Sequence, residues 1–192
     1  MGIPIGYHDF MLTFRPANLA DNEFIKSVFA AALPLYQELM PGSFEANLLN
    51  IDILTEKGLD FNATGLDGWI LMSNLGLTEK AAVQRPGQAL GFAGIGPLNP
   101  QQVYMAALYL LPEYQQQGYG SIALKQLEAD YRAQNFSEML LLVHGKADWA
   151  LHFYTRAGYR RISDRDAEMV AYGGERFLYL YEPGLILMGK EL

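Results

Sequence analysis

Two nearly unbroken apolar runs with an amphipathic segment between them constrain the fold of this chain more than any other feature. Val103–Leu111 and Met139–Val143 have strand length and lack the polar alternation of a strand that faces water on one side. Between them, Gly118–Gln134 carries its apolar residues at helical spacing. A strand, a helix and a strand in about 40 residues predict a parallel βαβ unit whose strands are buried on both faces.

The other segments favour antiparallel strands before this unit and further strands after it. Asn18 and Asp21 form a weak capping box for a helix predicted over Leu19–Leu33, which Pro34 should end or kink. Ser163–Arg176 is polar and predicts a long connection. Helices are also expected over Phe44–Lys57 and Ala147–Ala157, and strands over Met11–Arg15, Trp69–Asn74, Gln88–Gly96, Tyr159–Ile162, Phe177–Tyr181 and Leu185–Met188. Together these elements predict an α+β fold.

Composition narrows the class of protein. The 192 residues suit one domain, expected to span 1–192, and 51% hydrophobic with 18% charged residues argue against disorder. A net charge of −7 argues against a nucleic-acid partner, and the absence of cysteine excludes disulfides and thiol catalysis. Met1–Phe10 lacks the basic cluster of a signal peptide, and no apolar run approaches the roughly 20 residues that span a bilayer. We therefore expect a cytoplasmic protein with no membrane partner.

The segment Gln115–Ser121 joins the first apolar run to the predicted helix and could bind an anion. The first turn of a helix offers backbone N–H groups without intrahelical partners, and Gly118 and Gly120 would let a phosphate approach the backbone. The segment lacks the Gly-Lys-Ser/Thr of a P-loop and the third glycine of a Rossmann fingerprint. A tight turn without a ligand, or a nucleotide-phosphate site on another α/β fold, are the alternatives.

Two short motifs in this half of the chain point to one family. Gln115–Gly120 has the pattern Gln-x-x-Gly-x-Gly at a helix start right after a long strand. Ala150–Tyr159 reads Ala-Leu-His-Phe-Tyr-Thr-Arg-Ala-Gly-Tyr at a helix end. In these motifs and their separation the chain resembles the GNAT superfamily of acetyl-CoA-dependent N-acetyltransferases. The clear resemblance covers Val103–Ile162.

The resemblance implies a GNAT-like mixed, mostly antiparallel sheet with helices on both faces, whose central parallel strand pair splays apart for acetyl-CoA. It implies direct attack by a primary amine on acetyl-CoA through a tetrahedral intermediate, with acetyl-CoA as cosubstrate and no metal. The glycine turn would hold the pyrophosphate, the strand backbone would pair with pantetheine, and Tyr154 would protonate the departing thiolate as general acid. The implied cofactor-binding residues are Leu110, Gln115, Gln116, Gln117, Gly118, Tyr119, Gly120, Ser121 and Ala150.

Some positions depart from the family pattern. An Asn often found seven residues before the tyrosine is Ala147 here, and the long strand carries no acidic residue that could act as base. Glu113, His144, a residue of the first helices or a water chain could take that role. For Tyr154 the alternative is a core tyrosine on a helix face, and for the protein it is a non-catalytic acyl-CoA-binding module on the same fold.

The acceptor is expected to be an amine of a small molecule or peptide. The resemblance implies that the first two helices and the connection before the last strand shape the acceptor site. Their carboxylates would suit a cationic acceptor, although solvated helix faces often carry such charges. Alternation in Phe177–Tyr181 leaves a homodimer open. The acceptor candidates are Tyr36, Glu38, Glu45, Asp52, Glu56 and the segment Ser163–Arg176.

Overall fold

The computed structural model describes residues 12–37, 66–73, 87–173 and 184–192. Within these residues the strands are β1 Leu12–Pro16, β2 Asp67–Ser73, β3 Ala89–Pro97, β4 Gln102–Leu110, β5 Glu138–His144, β6 Arg160–Ser163 and β7 Leu185–Glu191. The helices are α1 Asn22–Gln37, α2 Tyr119–Ala133, α3 Asp148–Arg156 and α4 Asp166–Gly173. Short 3-10 turns lie at Leu19–Asp21 and Pro112–Tyr114.

One sheet contains the seven described strands in the order β1-β2-β3-β4-β5-β7-β6. Every neighbouring pair is antiparallel except β4 and β5, which are parallel. The β4–β5 ladder begins with Gln102 opposite Glu138 and ends with Tyr104 opposite Leu140. Beyond that pair both strands continue without pairing to each other, β4 as far as Leu110. The predicted parallel pair and its opening are confirmed.

A β-bulge in β4 lies where the two strands part. Gly94 of β3 faces Ala107 and Ile95 faces Met105, so Ala106 has no partner across the ladder. A bulge bends a strand and increases its local twist. This one comes two residues after Tyr104, the last residue of β4 that pairs with β5. The bulge therefore coincides with the start of the opening.

The helices cover both faces of the sheet, as predicted. On one face, buried residues of α2 and α3 share a cluster with strand residues, among them Ala123, Leu124, Leu127, Ala150, Val103, Met105, Met139 and Leu141. On the other face, α1 packs through Ile25 and Val28 against Ile70, Phe92 and Ala107. The same second face is covered at β4, β5 and β7 by α4, whose Met169 contacts Tyr104, Leu140 and Leu187. The central strands are therefore shielded on both sides, as unbroken apolar runs require.

One local prediction is confirmed, and two others differ from the structure. The capping box forms, because the Asn18 side chain accepts from the N–H of Ala20 at 2.9 Å and Asp21 accepts from the N–H of Asn18 at 2.9 Å. Pro34 does not end α1, which continues to Gln37. A proline removes one helical hydrogen bond, and packing of the rest of the helix outweighs that loss. The predicted connection at Ser163–Arg176 contains α4.

Other predicted features lie outside the described residues. These are the helix at Phe44–Lys57, the strand at Phe177–Tyr181 and the carboxylates of Glu38, Glu45, Asp52 and Glu56. Among the helices that the structure describes, none is long and apolar enough to cross a membrane.

Candidate functional site

The open end of β4 presents backbone groups away from β3. The N–H of Leu111 donates to the carbonyl of Leu90 in β3 at 3.0 Å. Successive peptide groups of a strand point in opposite directions, so the N–H and C=O of Leu110 point away from β3, toward the side where β5 has separated. The same alternation places the peptide groups of Leu108 on that side. The predicted pantetheine contact, Leu110, is therefore at the opening.

The glycine turn is tied to this strand end. The side-chain amide of Gln115 donates to the carbonyl of Leu110 at 2.9 Å. Gly118 has a φ of +89°, a left-handed conformation that favours glycine, and it is the N-cap of α2. The chain then enters α2 at Tyr119, and the N–H groups of that first turn lie beside the end of β4.

A cavity of about 500 Å³, called the cleft below, connects these elements. Eight of the ten predicted site residues line it: Leu110, Gln115, Gln116, Gly118, Gly120, Ser121, Ala150 and Tyr154. A Cβ at Gly120 would lie 3.5 Å from Phe153 and 3.8 Å from Leu110, so the turn, the strand and α3 approach one another closely here. The cleft runs from the N-terminus of α2 to Tyr154 on α3.

The remaining two predicted residues do not line the cleft. Tyr119 is buried and its ring packs edge-on against Tyr114, with ring centroids 6.5 Å apart. Gln117 is exposed, and its amide donates to the carbonyl of Glu113 at 2.5 Å. Both side chains support the shape of the turn, so any contact of these two residues with a cosubstrate would use their backbone.

Tyr154 lies between two aromatic rings on α3 and just beyond it. Its ring centroid is 5.0 Å from that of Phe153 and 5.5 Å from that of Tyr159. Burial, and to a smaller extent the neighbouring Tyr109, raise the pKa of the Tyr154 phenol above its usual value. The phenol therefore keeps its proton at neutral pH, which is the state that a general acid needs.

Sequence reasoning missed five residues of the cleft: Ala32, Leu108, Tyr109, Trp149 and Phe153. Trp149 is 47% exposed, which is high for a tryptophan and makes it a candidate ligand contact in the structure. In the sequence, Trp149 and Phe153 are one helical turn apart, a spacing that indicates a shared face but not a ligand. Tyr109 contacts Phe29 of α1, with ring centroids 5.1 Å apart.

The lining of the cleft carries no lysine, arginine, aspartate or glutamate among the described residues. His144 is buried, and the backbone N–H of Lys146 donates to its Nδ1 at 3.2 Å, which leaves the proton of the neutral ring on Nε2. Glu113 is exposed in the turn after β4. Ala147 is the N-cap of α3 and supplies no side-chain hydrogen bond. In the described part of the chain, no group of three metal-ligating side chains occurs.

Known proteins share both the sequence pattern and the architecture. Residues 65–159 match the model of the acetyltransferase (GNAT) family. No curated protein matches the sequence significantly.

Solved structures provide the second comparison. An acetyltransferase from Thermus thermophilus is 19% identical, with 96% of this chain and 99% of that chain covered and a TM-score of 0.62. The PaiA N-acetyltransferase from Thermoplasma acidophilum, in complex with coenzyme A, is 15% identical, with 95% and 99% covered and a TM-score of 0.62. A GNAT family acetyltransferase from Elizabethkingia anophelis with acetyl-CoA bound is 13% identical, with 94% and 98% covered and a TM-score of 0.58. At these identities the likeness is one of fold.

Proposed function

The chain belongs to the acetyltransferase (GNAT) family, and on that premise we propose that it transfers an acetyl group from acetyl-CoA to a primary amine of a small molecule or peptide. One observation carries the proposal. A single cleft joins the helix N-terminus at Gly118–Ser121 to Tyr154, beside the opening of the parallel strand pair. In this proposal the helix N-terminus serves as the anion site, the open edge of β4 as the slot for an extended chain, and Tyr154 as the proton donor.

The turn and the strand end would hold the cosubstrate. The backbone N–H groups at the start of α2 suit a pyrophosphate, since a helix N-terminus favours negative charge. Gly118 and Gly120 keep side-chain atoms away from that path, and the peptide groups of Leu108 and Leu110 suit an extended amide chain. When bound, acetyl-CoA supplies the activated thioester.

Tyr154 would supply the proton for the leaving group. In the proposed reaction the amine nitrogen attacks the acyl carbon directly, a tetrahedral intermediate forms, and the C–S bond breaks as the phenol gives its proton to the sulfur. The chain contains no cysteine, so no cysteine acyl-enzyme takes part. The raised pKa of Tyr154 keeps the phenol protonated until that step.

A ligand comparison tests the binding part of the proposal. A ligand that binds only the folded state raises the unfolding midpoint. We expect CoA and acetyl-CoA to raise the Tm of the full chain, and ATP and NAD at equal concentration to leave it unchanged. A larger shift with ATP or NAD than with CoA would contradict the proposal and favour a nucleotide-phosphate site.

A matched pair of variants tests the chemical part. Tyr154→Phe keeps the ring and removes the proton, so kcat should fall by about 100-fold or more while the Kd for CoA stays the same. Tyr159→Phe is the control, because its hydroxyl is buried next to Tyr154 but donates to the sulfur of Met139 at 3.0 Å. That variant should keep kcat. Unchanged turnover of Tyr154→Phe across pH would refute the general-acid role.

A non-catalytic acyl-CoA-binding module on the same fold is the second candidate. The observation that favours it is the position of Ala147, which caps α3 without any side-chain hydrogen bond. A screen of amines, amino acids, aminoglycosides and peptides with acetyl-CoA separates the two, and it also tests a preference for cationic acceptors. Calorimetric binding of acetyl-CoA without turnover of any acceptor would favour the module.

A further inference from the structure

The C-terminal cap of α3 joins Tyr154 to Tyr159. The N–H of Tyr159 donates to the carbonyl of Tyr154 at 3.0 Å. The N–H of Gly158 donates to the carbonyl of Thr155 at 3.0 Å, and Gly158 has a φ of +96°. Two such hydrogen bonds around a left-handed residue form the Schellman motif, in which the residue after the turn often packs against the helical residue whose carbonyl it bonds. In α3 that pair is Tyr159 and Tyr154.

The rings of this pair are in contact. Their centroids are 5.5 Å apart and their planes are inclined at 69°, which is the edge-to-face arrangement that aromatic pairs favour. Tyr159 is 3% exposed, whereas Tyr154 is half-buried and lines the cleft. The side chain that faces the cleft therefore packs on a ring that belongs to the core.

Three other elements fix the ring of Tyr159. Its hydroxyl donates to the sulfur of Met139 in β5 at 3.0 Å. The Nζ of Lys190 in β7 lies 5.8 Å from the ring centroid, within the range of a cation–π interaction. The carboxylate of Glu128 in α2, which is itself buried, accepts from that Nζ at 2.6 Å. The ring of Tyr159 is therefore a rigid support for its neighbour.

The end of α2 has the same cap without the cleft. The N–H of Phe136 donates to the carbonyl of Tyr131 at 3.1 Å, and the N–H of Asn135, whose φ is +69°, donates to the carbonyl of Arg132 at 3.0 Å. The ring centroids of Tyr131 and Phe136 are 5.6 Å apart, with the planes inclined at 60°. Neither ring lines the cleft. The cap of α2 is therefore an internal control for the cap of α3.

We propose that Tyr159 is a positioning residue, whose ring holds the Tyr154 phenol at the angle from which its proton reaches the sulfur of CoA. This inference rests on the proposed function, since it needs Tyr154 to act as general acid. A proton donor must lie within about 2.6–3.2 Å of its acceptor, and a misplacement of about 1 Å can cost about 100-fold in rate. The ring of Tyr159 is sufficient for this role, and its hydroxyl takes no part in it.

A pair of matched variants tests the inference. Tyr159→Leu removes the ring beside Tyr154, and Phe136→Leu removes the corresponding ring from the cap of α2. The donor is acetyl-CoA, and the acceptor is the amine with the highest turnover in the screen described above. We expect Tyr159→Leu to lower kcat by about tenfold or more and to leave the Kd for CoA unchanged. Phe136→Leu should keep kcat, and Tyr159→Phe, which retains the ring, should keep it as well.

Stability is controlled separately from turnover. All variants are assayed at a temperature at which circular dichroism shows them to be folded. If Tyr159→Leu does not fold, Tyr159→Met takes its place, with Phe136→Met as its control. The flexible side chain of methionine fills irregular space in a core and supplies no ring. The expected fall in kcat is the same.

A double variant distinguishes positioning from a general loss of structure. Residues that act as a unit have non-additive effects on rate. If Tyr159 acts through the phenol of Tyr154, Tyr154→Phe/Tyr159→Leu should have the same kcat as Tyr154→Phe alone. If the two side chains act independently, the two losses should multiply.

The outcomes separate this inference from the proposed function. Equal changes of kcat in Tyr159→Leu and Phe136→Leu would overturn the positioning role, and so would losses that multiply in the double variant. Either result leaves acetyl transfer and the role of Tyr154 standing, because Tyr154→Phe would still lower kcat. No turnover by the unsubstituted protein, or unchanged turnover of Tyr154→Phe, would overturn the proposed mechanism itself and this inference with it.

Discussion

The two glycines of the turn differ in what they contribute, and alanine at each position separates backbone conformation from space. Gly118 has a φ of +89°, and a Cβ added there would meet nothing within 4 Å. The cost of Gly118→Ala is therefore conformational. A left-handed conformation costs an L-residue roughly 1–2 kcal/mol, so the variant should lower the free energy of unfolding by about that amount.

Gly120 is the second residue of α2 and does not have a left-handed φ. Its added Cβ would lie 3.5 Å from Phe153 and 3.8 Å from Leu110, which are ordinary contacts. Alanine is better than glycine in a helix by roughly 0.5–1 kcal/mol, so Gly120→Ala should raise the free energy of unfolding by up to about 1 kcal/mol. The new methyl group lies in the lining of the cleft, however, and should obstruct the cosubstrate. Overpacking costs typically about 1–3 kcal/mol, which predicts at least about fivefold weaker CoA binding.

Urea unfolding without ligand and calorimetric titration with CoA test both glycines. The expected order of stability is Gly120→Ala above or equal to the unsubstituted protein, with Gly118→Ala lowest. CoA affinity should fall in Gly120→Ala despite its stability. A Gly120→Ala variant that binds CoA with unchanged affinity would refute the assignment of the cleft, and a Gly118→Ala variant of unchanged stability would refute the left-handed turn.

Four further variants test a buried ion pair, a helix cap and a second ion pair. Lys190→Met removes the ammonium group that lies 2.6 Å from the buried Glu128 carboxylate, so it should lower the free energy of unfolding, measured in urea, by about 3 kcal/mol. The double variant Glu128→Leu/Lys190→Met should recover most of that loss. An equal loss of stability in the single and the double variant would contradict this expectation. Asn18→Ala removes an N-cap acceptor and should lower the free energy of unfolding by about 1 kcal/mol, while a value near zero would mean that the cap is not stabilising. The bidentate Arg15 guanidinium holds the pKa of Asp21 below its usual value, so its contribution is present at neutral pH and lost as pH falls through that lowered pKa. Asp21→Asn should therefore be less stable at pH 7, and the difference from the unsubstituted protein should shrink in acid-titration unfolding curves.

The sequence predicts the centre of this fold well, because burial of a strand on both faces requires a recognisable pattern of apolar residues. A strand covered on both faces needs an unbroken apolar run, and Val103–Leu111 and Met139–Val143 became the parallel pair β4 and β5. The glycine turn can also be predicted from the sequence, because the left-handed backbone conformation at position 118 favours glycine. Local chemistry thus determines the two parts that frame the cleft.

The parts that escaped prediction depend on contacts distant in sequence. The bulge at Ala106 follows no glycine or proline, and it arises from the register between β3 and β4. After the bulge, Tyr109 lies on the α1 side of the sheet, where its ring centroid is 5.1 Å from that of Phe29. Helix α4 has a weak amphipathic pattern, and its position depends on Met169 packing against a sheet face made by strands far away in sequence.

The low polarity of the cleft connects the two proton transfers of the proposed reaction. No lysine, arginine, aspartate or glutamate lines the cleft among the described residues. Desolvation disfavours a charged group, so it lowers the pKa of an entering ammonium and raises that of a phenol. The first shift favours the neutral amine that can attack, which lessens the need for a carboxylate base on β4. The second applies to Tyr154, whose pKa burial raises, and in the proposed reaction it would keep the proton in place for the thiolate. In the proposed reaction, one physical property of the site would therefore prepare both the nucleophile and the acid.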